Sequence, residues 1–196
     1  MRQRKGYVLY DPERKEWIAR TSVTDDNGKR RYVKRRAKSK TDAEAKLKSL
    51  LRQIDDEGSK VVDFNRLTFN DLADHYEKHY LKPAEYVEGR KIAGLRDTVH
   101  PQGYLIHFRA FFGKRKLREI SYGHICAYRS LRLQTPTIYK RARSIGAWNR
   151  EACVLRRMLN IAVREGWIHK NPFTSGEPLI VVSFERRRER ILTLDE

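Results

Sequence analysis

The stretch Ser144–Phe173 (SIGAWNREACVLRRMLNIAVREGWIHKNPF) constrains the fold more tightly than any other part of the chain. Ile145, Trp148, Ala152, Leu155, Leu159 and Ala162 recur at steps of three and four, which on an α-helix makes one continuous apolar stripe. Ser144 is placed to cap its start. Gly166 stands where a left-handed C-terminal residue is wanted, and Asn171-Pro172 forbids continuation. Such a stripe must face a core. Off it, Arg150, Arg157 and Arg164 repeat every seven residues with Asn149 and Arg156 alongside, so the same helix carries a second, cationic face. A solvated arginine face is the ordinary reading of one such helix taken alone, and the rest of the chain decides between that and a binding surface.

The charge balance favours binding. Lys and Arg number 43 against 25 Asp and Glu, a net charge of +18, which makes a polyanion the leading partner. No apolar run reaches the roughly 18 to 20 residues that span a bilayer, and Met1–Lys5 is followed by no apolar signal segment, so a membrane partner is not expected and a cytoplasmic location is. Cys126 and Cys153 fall inside expected helices without CxxC or Cys/His clustering, so they read as buried reduced thiols, with no metal and no cofactor.

The first forty residues carry the signature of a small antiparallel sheet. Tyr7–Tyr10 is the first strand, Asp11–Arg14 a turn, and Glu16–Val23 the second strand, with Trp17, Ala19 and Thr21 on one face and Ile18, Arg20 and Ser22 on the other. Asp26-Asn27-Gly28 is the second turn. The third strand, Lys29–Ala37, opens a cationic run of Lys29, Arg30, Arg31, Lys34, Arg35, Arg36, Lys38 and Lys40 that contains no acid. Like charges side by side on a strand repel unless an anion lies over them; the plain alternative is an edge strand guarded by charge. Thr41–Glu44 reads as a capping box opening a helix whose apolar face is Ala43, Leu47, Leu50, Leu51 and Ile54. That helix should cover one face of the sheet and leave the other open for binding.

Asp55–Lys60 ends the helix and begins a linker, with a domain boundary near residue 62. Beyond it, Thr68–Asp71 is a helix start with Leu72, Ala73, Tyr76 and Tyr80 on its apolar face, Ala84–Asp97 reads as a loop, and a helix from Thr98–Pro101 runs to Phe112-Gly113. Lys114, Arg115, Lys116 and Arg118 form a compact basic loop. The next helix uses Ile125, Tyr128 and Leu131 as its apolar face and leaves Arg129 and Arg132 on another side. Thr135–Arg143 is a loop carrying Lys140, Arg141 and Arg143, and Leu179–Phe184 is strand-like. The fold class is therefore α+β: a small three-stranded antiparallel sheet plus a helix, followed by an all-α four-helix domain.

This order of features resembles the N-terminal half of a phage-type integrase, a tyrosine site-specific recombinase. GYVLYDPERKEWIARTSV and GKRRYVKRRAKSKTDAEAKL look like the small arm-site-binding domain of that family, FFGKRKLREISYGHICAYRSLRL matches its pattern of Phe-Gly, Leu and Ile before a helix, and NREACVLRRMLNIAVREGWIHKNPF is similar to its last core-binding helix with the closing Asn-Pro. The resemblance implies an arm-type β-β-β-α DNA-binding domain over 1–60, a SAM-like core-binding domain over 61–175, and a linker with the first residues of a catalytic domain over 176–196, where RRRERILTLDE stands. The family cuts DNA with a Tyr nucleophile, two Arg, a Lys and a His-x-x-Arg box. None of the six histidines here has Arg three residues on, so the chain is expected to bind and not to cut.

Expected partners are double-stranded DNA and other recombinase protomers, with no small-molecule substrate. The DNA-contacting candidates are Lys29, Arg30, Arg31, Lys34, Arg35, Arg36, Lys114, Arg115, Lys116, Arg129, Arg132, Lys140, Arg141, Arg143, Asn149, Arg150 and Arg157. A stand-alone regulator competing for recombination sites shares these binding physics. A basic RNA-binding protein is the remaining alternative, set back because most aromatics fit helical cores and not stacking platforms on a sheet.

Overall fold

Glycines, prolines and cap residues divide the chain into the elements of a mixed α/β molecule. The computed structural model describes residues 6–24, 28, 30–58, 60–137 and 139–185 and divides into two compact units, Met1–Arg66 and Leu67–Glu196.

In the first unit β1 (Gly6–Asp11), β2 (Glu16–Thr24) and β3 (Arg30–Ala37) form an antiparallel sheet in that order. The register pairs Ala19 with Val8 and Arg35, and Arg20 with Tyr7 and Lys34. Helix α1 (Lys40–Glu57) packs on all three strands and takes the face of Ala19, Thr21, Val23, Val33 and Ala37, so the other face is open. Its cap is Ser39, whose hydroxyl accepts from the Asp42 amide at 3.1 Å, and not Thr41 as the sequence suggested. The difference is one of competition: three consecutive polar residues precede the apolar run, and the earliest that can reach an amide starts the helix.

The expected linker is not a linker. Val61–Phe64 forms a short helix, α2, and Val61 and Val62 are buried with Val23, Val33, Leu50 and Ile54 in the core of the first unit. Asp63 pairs with Arg31 of β3. Two adjacent valines in an otherwise charged stretch were the signal that this segment has something to bury.

The second unit is built on four helices: α3 (Phe69–His79), α4 (Val99–Phe112), α5 (Tyr122–Gln134) and α6 (Ile145–Arg164). Thr68 and Asp71 close a reciprocal capping box on α3, and the Ser144 hydroxyl accepts from the Ala147 amide at 3.2 Å to cap α6. Gly166 adopts φ 72° where α6 ends. The core joins Phe69, Leu72, Tyr76, Leu105, Phe108, Phe112, Ile125, Tyr128, Trp148, Leu155 and Leu159.

One expected loop and one expected strand differ in the structure. Within Ala84–Asp97 the strands β4 (Glu85–Val87) and β5 (Arg90–Ala93) form an exposed hairpin closed by Glu88 and Gly89, both at positive φ, a two-residue turn that matches strand twist. At its base Gly94 sits at φ 74°, where a Cβ would lie 1.9 Å from the Pro83 carbonyl oxygen, so no other residue fits. Leu179–Phe184 is not a strand: Val182–Phe184 is a single 3₁₀ turn, because the segment pairs with side chains of α6 and not with a sheet. Cys126 is half-buried and Cys153 is exposed, contrary to the expectation of two buried thiols. Among the described residues no helix is long and apolar enough to cross a membrane.

Truncating Val61 and Val62 together to Ala should destabilise the first unit by about 2 to 4 kcal/mol, since each loses roughly two buried methyl equivalents and leaves a gap. Urea denaturation followed by circular dichroism reads this out, and an unchanged midpoint would return the segment to the status of a linker.

Candidate nucleic-acid interface

The open face of the sheet brings together Arg20, Arg30, Lys34 and Arg36. Alternation along the strands puts Tyr7, Leu9 and Asp11 of β1, Glu16, Ile18, Arg20 and Ser22 of β2, and Arg30, Tyr32, Lys34 and Arg36 of β3 on this face, with the two acids at one end of it. Arg20 lies directly across from Lys34, with no acid between them. Its guanidinium carbon sits 3.7 Å from the centroid of the Tyr32 ring and 5.6 Å from that of Tyr7. Arg30 donates to the Ser22 hydroxyl at 2.9 Å, and Arg36 approaches Glu16 at 3.7 Å. Arg20, Tyr7 and Tyr32 were not among the expected contacts. The alternation that placed Arg20 opposite the helix-covered face was the signal for them.

Only part of the basic third strand belongs to this surface. Arg31 and Arg35 point to the side of α1; Arg31 pairs with Asp63, and Arg35 donates to the Lys34 carbonyl at 3.3 Å. Lys29 lies outside the described residues.

In the second unit the structure divides the candidates between surface and core. Arg150, Arg156 and Arg157 are exposed on α6, and Arg150, Arg157 and Arg164 form one stripe with about 10 Å between successive members. Arg150 borders an open cavity shared with Asp97, His100 and Tyr104 at the start of α4. At the other end Arg164 donates to the Tyr80 hydroxyl and lies over its ring. Lys140, at φ 58°, and Arg141 are exposed on the turn leading into α6, whereas Arg143 is half-buried. Arg129 is also half-buried. Lys114 is exposed beside Arg115, which covers the Phe111 ring at 5.7 Å, while Lys116 is paired with Glu119 at 3.1 Å.

Two candidates are corrected outright. Arg132 is only 5% exposed and grips Glu151, which is 0% exposed, with Nε to Oε1 at 2.8 Å and Nη2 to Oε2 at 3.0 Å. The Tyr128 hydroxyl donates to the same carboxylate. Burial, and then that bond, pushes the Tyr128 phenol far above the usual tyrosine value. Leu131, expected inside, is exposed instead. A carboxylate at Glu151, inside the apolar stripe of α6, demands a buried cation, and Arg132 is one helical turn from Tyr128 on the facing helix. Glu151 itself was the missed signal.

Asn149 is the second correction. It is buried, and its amide nitrogen donates to the Val181 carbonyl at 3.0 Å and to Glu185 Oε1 at 2.7 Å. Trp148 Nε1 donates to the Leu179 carbonyl at 2.8 Å, so consecutive residues of α6 hold the segment 179–185 against the helix. The closing Asn171 is equally committed: its amide donates to the Arg156 carbonyl at 3.1 Å and its oxygen accepts from the Phe173 amide at 3.0 Å.

What remains is two cationic surfaces suited to a polyanion backbone. Among the described residues no cluster of His, Cys, Asp or Glu is placed to hold a metal ion. Comparison of the chain with protein-family models, curated proteins and solved structures finds no match.

Arg132→Ala should lower stability by about 3 to 5 kcal/mol, because it strands a buried carboxylate, whereas Arg150→Ala should stay within about 0.5 kcal/mol of the parent. Thermal denaturation of both variants separates core from surface; equal melting temperatures would refute the assignment of Arg132 to the core.

Proposed function

We propose that this chain is the DNA-binding portion of a phage-integrase-like tyrosine recombinase, serving DNA integration and recombination. The observation that carries the reading is the open sheet face. Arg20 and Lys34 stand opposite each other with Arg30 and Arg36 beside them, and the ion pair formed there among the described residues is the 3.7 Å contact of Arg36 with Glu16. Cross-strand cations cost repulsion in the free protein, and a phosphate backbone removes that cost. Three strands about 4.8 Å apart make a surface comparable with the roughly 12 Å width of the major groove. The exposed arginines of α6 supply a second contact surface in the other unit. The order of a three-stranded sheet, a helix and four further helices agrees with what the sequence resemblance implies.

The reading assigns binding, and not strand cleavage, to these residues. The His-x-x-Arg box is missing at every histidine, and the two most deeply buried tyrosines, Tyr76 and Tyr128, are core members. A stand-alone regulator of recombination sites would use the same surfaces. One observation favours RNA instead, the exposure of Tyr7 and Tyr32 on a sheet, where single-strand binders stack bases. Arg20 weighs against it, because it already occupies a face of the Tyr32 ring.

Duplex binding by the whole chain should weaken steeply with salt. If about six phosphates are neutralised, log K falls against log salt with a slope near about −5. A slope shallower than about −2 in a fluorescence anisotropy titration would overturn the reading. Lys34→Ala with Arg36→Ala, and separately Arg150→Ala with Arg157→Ala, should weaken binding while leaving circular dichroism unchanged; full-strength binding by both double variants would displace the interface from these faces.

A further inference from the structure

We infer that Arg20 is the sequence-reading residue of the sheet, and that the base it reads is a guanine in the major groove of duplex DNA. The inference rests on the DNA-binding reading and deepens it. Affinity and specificity need different chemistry: a phosphate contact takes any flexible cation, whereas a base edge takes a donor pair held at fixed geometry. Of the cations on the open face, Arg20 has that preparation. It stands at the middle strand, with β1 on one side and β3 on the other, whereas Arg30, Lys34 and Arg36 lie on the outer strand. Its guanidinium carbon lies over the Tyr32 ring at 3.7 Å from the centroid and 5.6 Å from that of Tyr7, so two rings confine the group before any ligand arrives.

Stacking uses the flat face of the guanidinium and leaves the in-plane N–H donors unspent. Arg20 Nε is buried without a hydrogen-bond partner among the described residues, so the fork offered outward is the pair of terminal nitrogens Nη1 and Nη2. A planar fork of fixed orientation matches the O6 and N7 acceptors of guanine, the only base that offers two acceptors side by side in that groove. Arg30 and Lys34 flank the fork and are placed to neutralise phosphates on the groove walls, while the Arg36 charge is partly met by Glu16. The tyrosines act on the base through Arg20: their rings are clamps for the guanidinium, and the one beneath Arg20 is not open to stack a nucleobase.

The test is selection from a random duplex library with the full chain, comparing the parent with Arg20→Lys, which keeps the charge and discards the fork. The parent should enrich a motif containing at least one guanine whose preference falls roughly 10- to 100-fold in Arg20→Lys. Affinity for scrambled duplex should fall much less than affinity for the selected motif, because Lys keeps the charge that meets phosphate. At that position 7-deazaguanine, which lacks the N7 acceptor, should weaken the parent and leave Arg20→Lys unaffected, and circular dichroism should show both proteins folded alike. Retention of every base preference by Arg20→Lys overturns the inference while leaving DNA binding intact, as does a parent that binds duplex without preference. Tighter binding to single strands of the same sequence, lost in Tyr32→Ala and kept in Arg20→Lys, overturns it in favour of base stacking. Absence of salt-sensitive binding by the parent removes the DNA reading and the inference together.

Discussion

The helical unit depends on one carboxylate that has no access to water. Glu151 lies inside the apolar stripe of α6, and a charge there is tolerable only with donors in fixed positions. Arg132 supplies two bonds and Tyr128 a third, all from α5, so the pairing of α5 with α6 is specified by geometry as well as by the less selective packing of Leu155 and Leu159. With α6 fixed about its axis, its remaining arginines have one direction left, outward. The burial of one ion pair thus makes Arg132 of α5 a core residue and leaves the arginines of α6 on the outside.

The same sorting operates in the sheet through a different rule. Period-two alternation sends Arg31 and Arg35 to the side of α1 and leaves Arg30, Lys34 and Arg36 on the open side. Arg31 is spent on Asp63, which ties α2 to β3, so part of the basic run serves folding. What remains on the open side is joined by Arg20 from the neighbouring strand. Net charge therefore overstates the number of cations that reach an open face, and that fraction is set by where each acid of the fold sits.

Much of this was legible in the chain itself. The strands, the face shared by Trp17, Ala19 and Thr21, the caps at Thr68 and Ser144 and the stripe of α6 follow from local periodicity and cap chemistry, which act over a few residues. What escaped depends on partners distant in sequence. Arg132 looks like any surface arginine until Glu151, nineteen positions on, is placed against it. Asn149 looks like a polar neighbour of Arg150 until the segment 179–185 returns to it. The Glu88-Gly89 turn and the Val61-Val62 pair were readable, but each was outweighed by the charge around it: composition argued for loop while two or three residues argued for structure.

The exposed thiol of Cys153 stands one turn from both Arg150 and Arg157 on the outer stripe of α6, while the chain's other thiol, Cys126, is half-buried in α5. Nature has in effect placed a reporter in the middle of the arginine row. Its rate of alkylation measures how open the middle of that row is to solvent, so occlusion of the helix there by any bound polymer becomes a question of simple thiol chemistry.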